Sequence, residues 1–148
     1  MNLTWLDADS RAEAYQFYHQ FMPYARLTKK ELLGVFFAGN LSEKKIIAAV
    51  RLRPIGEYQL LTGMLVHPEY RGQGLAHQLM FNLQRTLNTK PSFLFSLPEL
   101  TSFYQQHRFF ENSEITMEQS PKIPAEITQL YKRYVSKGKQ LYLMQYQP

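Results

Sequence analysis

Cysteine is absent from the 148 residues, which excludes disulfide bonds and cysteine metal ligands. This composition suits a reducing compartment, and we expect a cytoplasmic protein. No run of about 20 apolar residues is present, so we expect no membrane-spanning helix and no membrane partner. The first residues, MNLTWLDADSRAEAYQ, do not place a basic flank before an apolar run, which argues against a signal peptide.

Acidic residues are fewer than basic ones, 12 against 17, so the formal net charge is +5 and the isoelectric point is about 9.4. A basic surface attracts nucleic acid, anionic lipid or a phosphorylated small molecule. The sequence contains no long block of Lys and Arg, and its aromatic residues lack the spacing of RNA-binding motifs. A nucleic-acid role therefore ranks last among the functions considered.

Length and hydrophobic content predict one domain over residues 1–148 with a real core. The residue pattern predicts a mixed α/β chain of the α+β class, without a linker or an internal repeat. Strands are expected at residues 2–6, 34–40, 45–54, 58–68, 92–96, 108–115 and 140–146. Helices are expected after a Ser10/Glu13 capping box, at 28–33, 73–87 and 99–107, and from Pro124 to the stop at Gly138.

The three strands between residues 34 and 68 are separated by short turns, which favours an antiparallel meander. The third of them is apolar almost throughout, as expected for a central strand that is covered on both faces. This strand leads directly into the most informative segment of the chain.

That segment, VHPEYRGQGLAHQLM, places Arg71, Gly72 and Gly74 immediately before a helix with an apolar stripe at Leu75 and Leu79. Backbone N–H groups in the first turn of a helix lack partners within the helix and bind phosphate well. Glycine allows close approach, and an arginine adds a charged donor. The segment therefore predicts a pyrophosphate site, with a plain surface turn as the alternative.

Two nucleotide-binding motifs are excluded at this corner. A G-x-G-x-x-G fingerprint would need glycine where His77 stands, and a P-loop would need Gly-Lys-Ser/Thr. The longer stretch LLTGMLVHPEYRGQGLAHQLM instead resembles the acyl-CoA-binding motif of GCN5-related N-acetyltransferases (GNAT). That signature, Arg/Gln-x-x-Gly-x-Gly/Ala, is met by Arg71, Gly74 and Ala76. The resemblance extends with decreasing clarity over residues 45–109.

The resemblance implies the GNAT acyl-CoA N-acyltransferase fold, a splayed mixed sheet of about six to seven strands flanked by helices. It implies an N-acetyltransferase with acetyl-CoA as co-substrate and no metal. The end of the central strand would contact the pantetheine arm, and the first turn of the helix would hold the pyrophosphate. The implied coenzyme-binding residues are Met64, Leu65, Val66, Arg71, Gly72, Gln73, Gly74, Leu75, Ala76 and His77.

A second stretch, FYQQHRF, resembles the family's Phe-Tyr-x-x-x-Gly-Phe segment. The resemblance implies that Tyr104 donates a proton to the departing CoA thiolate, which a neutral phenol can do. The alternative is an aromatic residue of the core. Arg108 departs from the pattern by replacing the glycine, which makes a left-handed turn at this position costlier.

An amine must lose its proton before it attacks, so a general base is expected. The family's glutamate five residues before Met64 is replaced by Gln59, which is not a base. Glu57 faces the same side if the strand is regular, and it is the predicted base. Glu99, His67 and solvent remain alternatives.

The acceptor is expected to be the amine of a small molecule or a peptide. The resemblance implies that the N-terminal helices build its pocket, where Tyr15, Tyr18, His19, Tyr24 and Arg26 are available. Homodimer formation stays open. The main alternative function is an acyl-CoA sensor or partner-binding module without catalysis, which Gln59 and Arg108 favour.

Overall fold

The computed structural model describes residues 1–40, 42–111 and 123–148, which contain both strands and helices. The strands are β1 (Thr4–Trp5), β2 (Leu32–Ala38), β3 (Lys45–Ile55), β4 (Tyr58–Val66), β5 (Ser92–Ser96), β6 (Phe109–Glu111) and β7 (Tyr142–Tyr146). The helices are α1 (Ala12–Phe21), α2 (Leu75–Leu87), α3 (Thr101–Gln105) and α4 (Ala125–Val135).

The seven strands have the order β1-β2-β3-β4-β5-β7-β6. The pairs β1–β2, β2–β3, β5–β7 and β6–β7 are antiparallel, whereas β4 and β5 are parallel through Gln59 with Ser92 and Leu60 with Phe93. Residues 56 and 57 alone connect β3 to its neighbour β4, a connection that only an antiparallel pair permits. The predicted mixed sheet and meander are therefore confirmed.

The chain forms two compact units, of which the first holds residues 1–54 and 61–85 and the second 55–60 and 86–148. The first core joins α1 to the meander through nine buried residues: Leu6, Ala14, Phe17, Tyr18, Leu33, Val35, Ile46, Ala49 and Leu65. In the second core, Ile127 and Leu130 of α4 pack with Leu60 and Phe93. A single domain over 1–148 stays a prediction.

Most predicted elements occur where the sequence pattern put them. On α2, Leu75, Leu79, Leu83 and Leu87 are buried as the four-residue spacing predicted. β6 covers the start of the strand predicted at 108–115, and residues 112–115 lie outside the described residues. Among the described helices, none is long and apolar enough to cross a membrane.

Two local predictions in the N-terminal region are wrong. The Ser10 hydroxyl binds the side chain of Asp7 at 2.9 Å instead of capping α1, and the residue preceding the helix is Arg11. Asp7 itself caps the short 3-10 turn Ala8–Ser10. The helix predicted at 28–33 is also absent, because β2 already begins at Leu32.

In the segment where that helix was predicted, Glu31 forms a buried ion pair with Arg51 of β3. Glu31 and Arg51 are 1% and 7% exposed, and their side chains form two hydrogen bonds, from Nε to Oε2 at 3.0 Å and from Nη2 to Oε1 at 2.6 Å. Arg51 also donates to the Arg26 carbonyl at 2.6 Å, and Glu31 accepts from the Thr28 amide at 3.2 Å. The pair thus ties the segment before β2 to the middle of β3.

We expect Glu31→Gln to lower the free energy of unfolding by about 3–5 kcal/mol, because it leaves the buried Arg51 without its counter-charge. Urea unfolding measures this change. The matched control is Glu69→Gln, since Glu69 pairs with Lys45 at 3.8 Å with both side chains largely exposed. That control should cost at most about 1 kcal/mol. Equal losses in the two variants would contradict the energetic role of the buried pair.

Candidate functional site

The exit of β4 is fixed by backbone hydrogen bonds. The amide of His67 donates to the Ile47 carbonyl of β3 at 2.8 Å. His67 Nδ1 then accepts from the Glu69 amide at 3.1 Å, which caps the 3-10 turn Pro68–Tyr70. His67 therefore shapes the strand exit.

Beyond this turn, two glycines redirect the chain into α2. Gly72 and Gly74 have φ values of +79° and +77°, in the left-handed region that only glycine adopts without strain. Helical bonding then begins with the Gln78 amide, which donates to the Gly74 carbonyl at 3.1 Å. The amides of Leu75 and Ala76 precede that first bond, at the positive end of the helix dipole.

The space in front of the two glycines is open. A Cβ built on Gly72 or Gly74 would meet no atom within 4 Å. Neither glycine is therefore required by local packing, and a side chain added there would enter the open space. The corner fits an anionic group that approaches the first turn of α2 closely.

Arg71 connects the corner to the end of β4. Its Nε donates to the Val66 carbonyl at 3.2 Å, and the side chain is exposed. This bond uses one of the five N–H donors of a guanidinium. A second cation lies near the corner, since Lys45 Nζ is 5.2 Å from the Tyr70 ring centroid. Because Lys45 also pairs with Glu69 at 3.8 Å, its charge is partly neutralised, and Arg71 supplies the positive charge at the corner.

All ten predicted coenzyme-binding residues, from Met64 to His77, belong to the first compact unit. Leu75 is buried, so only its backbone can face a ligand, whereas Gly72, Gln73 and Gly74 are exposed. The described residues contain no group of three or more His, Asp or Glu side chains that could hold a metal ion.

Tyr104 lies on α3 in the second unit and is half-buried. Its ring contacts Phe103 and Phe109 with edge-on geometry, at centroid distances of 5.1 and 6.3 Å. Burial raises the pKa of the Tyr104 phenol to about 12. The phenol is therefore fully protonated at neutral pH, as a proton donor must be.

The turn after α3 is left-handed although glycine is missing. Arg108 has a φ of +69°, the one positive value at a non-glycine position among the described residues. Its Nε donates to the Gln147 carbonyl at 2.8 Å, and the Gln147 amide donates back to the Arg108 carbonyl at 2.8 Å. These two bonds hold a conformation that the arginine side chain disfavours.

The premise for Glu57 as the base is wrong. Glu57 lies in the exposed turn before β4 rather than in a regular strand, so strand alternation does not orient its side chain. Gln59 is buried, and its Nε2 donates to the Thr86 carbonyl and to Ser92 Oγ, both at 2.9 Å. Gln59 is a structural residue, and Glu99 is exposed in the 3-10 turn Pro98–Leu100.

A depression of about 430 Å³ lies beside α1, lined by Tyr15, Gln16, His19, Pro23, Ala25 and Leu27. Two of the predicted acceptor-pocket residues, Tyr15 and His19, line it. Tyr18 is instead fully buried, and Tyr24 is 72% exposed. The lining contains no carboxylate.

A comparison with protein families identifies the family of the chain. The family model described as Acetyltransferase (GNAT) domain matches residues 34–112, more than half of the chain. The chain belongs to the GNAT family. A search among curated proteins gave no match.

Solved structures with the GNAT fold cover nearly the whole chain. Escherichia coli ElaA has a TM-score of 0.65 at 16% identity, over 98% of this chain and 99% of that one. An acyl-CoA N-acyltransferase from Pseudomonas aeruginosa gives 0.61 at 15%, over 99% of both chains. A GNAT family acetyltransferase from Elizabethkingia anophelis with acetyl-CoA bound gives 0.65 at 14%, over 99% and 97%. These likenesses confirm the predicted GNAT fold.

Sequence reasoning missed the buried group that contacts Gly63 of β4, which consists of Glu31, Arg51 and the hydroxyl of Tyr18. One signal was present: Arg51 interrupts the apolar run IIAAV of β3 with a charge. A charge in a buried strand requires a partner of opposite sign, although the sequence does not tell which acidic residue supplies it.

We expect Arg108→Gly to be more stable than Arg108→Ala by about 1 kcal/mol, because only glycine adopts the left-handed turn without a Cβ clash. Both variants lose the side-chain bond to Gln147, so their difference isolates the backbone strain. Midpoints of urea unfolding provide the measurement. A glycine variant no more stable than the alanine variant would show that the turn relaxes without cost.

Proposed function

We propose that this GNAT chain transfers the acetyl group of acetyl-CoA to a primary amine. The observation that carries the proposal is the corner at Gly72 and Gly74, where two left-handed glycines with open space in front of them lead into the N-terminus of α2. A diphosphate needs close approach, backbone donors and positive charge, and this corner supplies all three.

In this proposal, the amides at the start of α2 hold the pyrophosphate of the coenzyme, and Arg71 adds a charged donor. The backbone of Met64, Leu65 and Val66 contacts the pantetheine arm. Main-chain donors do most of the binding, so the affinity depends on the shape of the corner more than on its side chains.

The proposed reaction is a direct transfer. The amine nitrogen attacks the thioester carbonyl carbon, a C–N bond forms, and the C–S bond breaks with its electron pair on sulfur. The sulfur takes a proton, and the nitrogen loses one. Positioning of the two reactants and a backbone N–H directed at the thioester oxygen supply most of the rate enhancement.

We assign the proton for the sulfur to Tyr104. A phenol with a pKa of about 12 has a proton to give at neutral pH, and the aromatic contacts to Phe103 and Phe109 orient the ring. Because Glu57 lies in a turn and the Gln59 amide is not a base, the proton on the amine goes to water in this proposal.

The proposed acceptor is the primary amine of a small molecule or a peptide. The depression beside α1 has an aromatic and apolar lining without a carboxylate, which is a poor match for a polycation. An amine attached to an apolar or aromatic body fits such a surface better. A cytoplasmic location and homodimer formation stay predictions.

One observation favours a second function, an acyl-CoA sensor without catalysis. The position of the family's glutamate holds Gln59, whose amide is bound inside the protein. Release of the CoA thiol in the presence of a panel of primary amines separates the two functions. Amine-dependent release supports the transferase, and tight CoA binding without release on any amine supports the sensor.

We expect Gly74→Gln to weaken CoA binding at least about tenfold, because the added side chain and the strained backbone obstruct the approach of phosphate. Isothermal titration with CoA measures the affinity. The matched control is Gly138→Gln, since Gly138 has a φ of +85° and no atom within 4 Å of an added Cβ. The control carries the same strain, so unchanged CoA affinity in both variants would remove the proposed phosphate site.

We expect Tyr104→Phe to lower kcat about 100-fold or more with little change in the KM for acetyl-CoA, since only the proton donor is lost. With the wild-type pKa raised to about 12, phenol ionisation should not reduce kcat between pH 7 and about pH 10. Steady-state kinetics across this range test both points. Tyr134→Phe, a half-buried tyrosine of α4, is the control. Equal kcat in the two variants would leave Tyr104 without a role in proton transfer.

A further inference from the structure

One buried hydroxyl contacts the backbone of β4 directly before its proposed coenzyme-binding end. Tyr18 of α1 is fully buried and donates its hydroxyl proton to the Gly63 carbonyl at 2.5 Å. Gly63 has a φ of +61°, so the strand departs from regular geometry at this residue. The next residue is Met64, the first of the residues proposed to contact the pantetheine arm.

Because a peptide group is planar, the bond to the Gly63 oxygen also determines the direction of the Met64 N–H. The carbonyl of Gly63 and the N–H of Met64 belong to the same planar trans peptide and point in opposite directions. A hydroxyl that fixes the Gly63 oxygen therefore fixes the direction of the Met64 N–H. That N–H is directed away from Tyr18.

The ion pair holds Tyr18 and Gly63 in place. The Arg51 guanidinium carbon lies 5.9 Å from the centroid of the Tyr18 ring. Arg51 also passes so close to Gly63 that an added Cβ would lie 2.6 Å from Arg51 Cδ. Because Glu31 binds Arg51 through two hydrogen bonds, the guanidinium cannot move away from either residue without breaking them.

We propose that Tyr18 is a positioning residue, which acts with Arg51 and Glu31 to aim the Met64 N–H at the acyl-pantetheine arm of acyl-CoA. This inference rests on the proposed function and deepens it, since it names side chains outside the GNAT motif that set the geometry of the acyl site. Gly63 is required at its position by the close approach of Arg51 and by its left-handed conformation.

The chemistry of the phenol suits a permanent donor. Burial raises the pKa of Tyr18 far above its usual value, the nearby Glu31 carboxylate adds to the rise, and the Arg51 cation opposes it. The hydroxyl therefore keeps its proton, and with it the ability to donate to Gly63, at neutral and mildly alkaline pH.

The test is Tyr18→Phe, which removes only the hydroxyl. Its matched control is Tyr131→Phe, because the Tyr131 hydroxyl also donates to a backbone carbonyl, that of Leu141, at 2.7 Å. NMR relaxation and residual dipolar couplings of the Met64 N–H are measured in the free proteins. Titrations then compare acetyl-CoA with ADP, which carries the diphosphate but no pantetheine arm.

In Tyr18→Phe we expect the Met64 N–H to change direction, and its order parameter to fall from about 0.85 to below about 0.6. Acetyl-CoA affinity should fall about 3- to 10-fold, as for one lost hydrogen bond, while ADP affinity changes less than about twofold. The control should change neither. Arg51→Lys, which keeps the phenol but loses the two-bond pairing, should show a smaller shift in the same direction.

An unchanged Met64 N–H in Tyr18→Phe would overturn the inference, and so would an equal loss of affinity for both ligands. The proposed function is judged separately by the wild type. If the wild-type protein binds neither acetyl-CoA nor ADP, the function fails, whatever the NMR data show. If it binds both and Tyr18→Phe matches the control, only the positioning role fails.

Discussion

The buried pair of Arg51 and Glu31 is the interaction on which the first compact unit depends. Two charges removed from water must satisfy each other, and the guanidinium does so with Glu31 and the Arg26 carbonyl. The geometry of the pair fixes where the chain enters β2 and how closely β3 approaches Gly63. A feature that costs desolvation energy thus specifies the path of the backbone beside the proposed acyl site.

The course of β4 determines where the proposed coenzyme site lies along the chain. Its first residues pair in parallel with β5, its middle bends at Gly63, and its end leads through a capped 3-10 turn to the glycine corner. Each step is set by local chemistry: a left-handed glycine, a histidine that accepts an amide proton, and two further left-handed glycines. The proposed coenzyme site is therefore mainly a property of the backbone path between Gly63 and Ala76.

Periodic patterns predicted the elements that bury one face. The leucine stripe of α2 was readable because burial at fixed spacing leaves a clear pattern in the sequence, and the meander was readable from the short turns between its strands. The corner at Arg71–Ala76 was singled out by the resemblance of its surrounding sequence to the GNAT motif, because two glycines before a helix also fit a plain surface turn. The prediction of a helix at 28–33 was wrong, because the weak helical propensity of this segment is outweighed by the energy of pairing Glu31 with the buried Arg51. The Ser10 cap failed because Asp7, three residues earlier, competes for the hydroxyl.

Catalytic side chains were less predictable than backbone features. Glu57 was assigned by strand alternation, which stops at the turn of residues 56 and 57. The bond from Tyr18 to Gly63 joins residues 45 positions apart, and no local pattern encodes such a distance. Arg108 shows the opposite case, because its departure from the family's glycine was visible in the sequence. The left-handed turn nevertheless forms, and two hydrogen bonds between Arg108 and Gln147 stabilise it.

The proposed coenzyme site, which is built from main-chain amides, has an evolutionary consequence. Most side chains around it are free to drift, provided that the few glycines and the turn geometry persist. Selection then acts on the backbone geometry rather than on the identity of most side chains. In keeping with this, the fold is shared over nearly the full length with proteins that are only 14–16% identical to this chain.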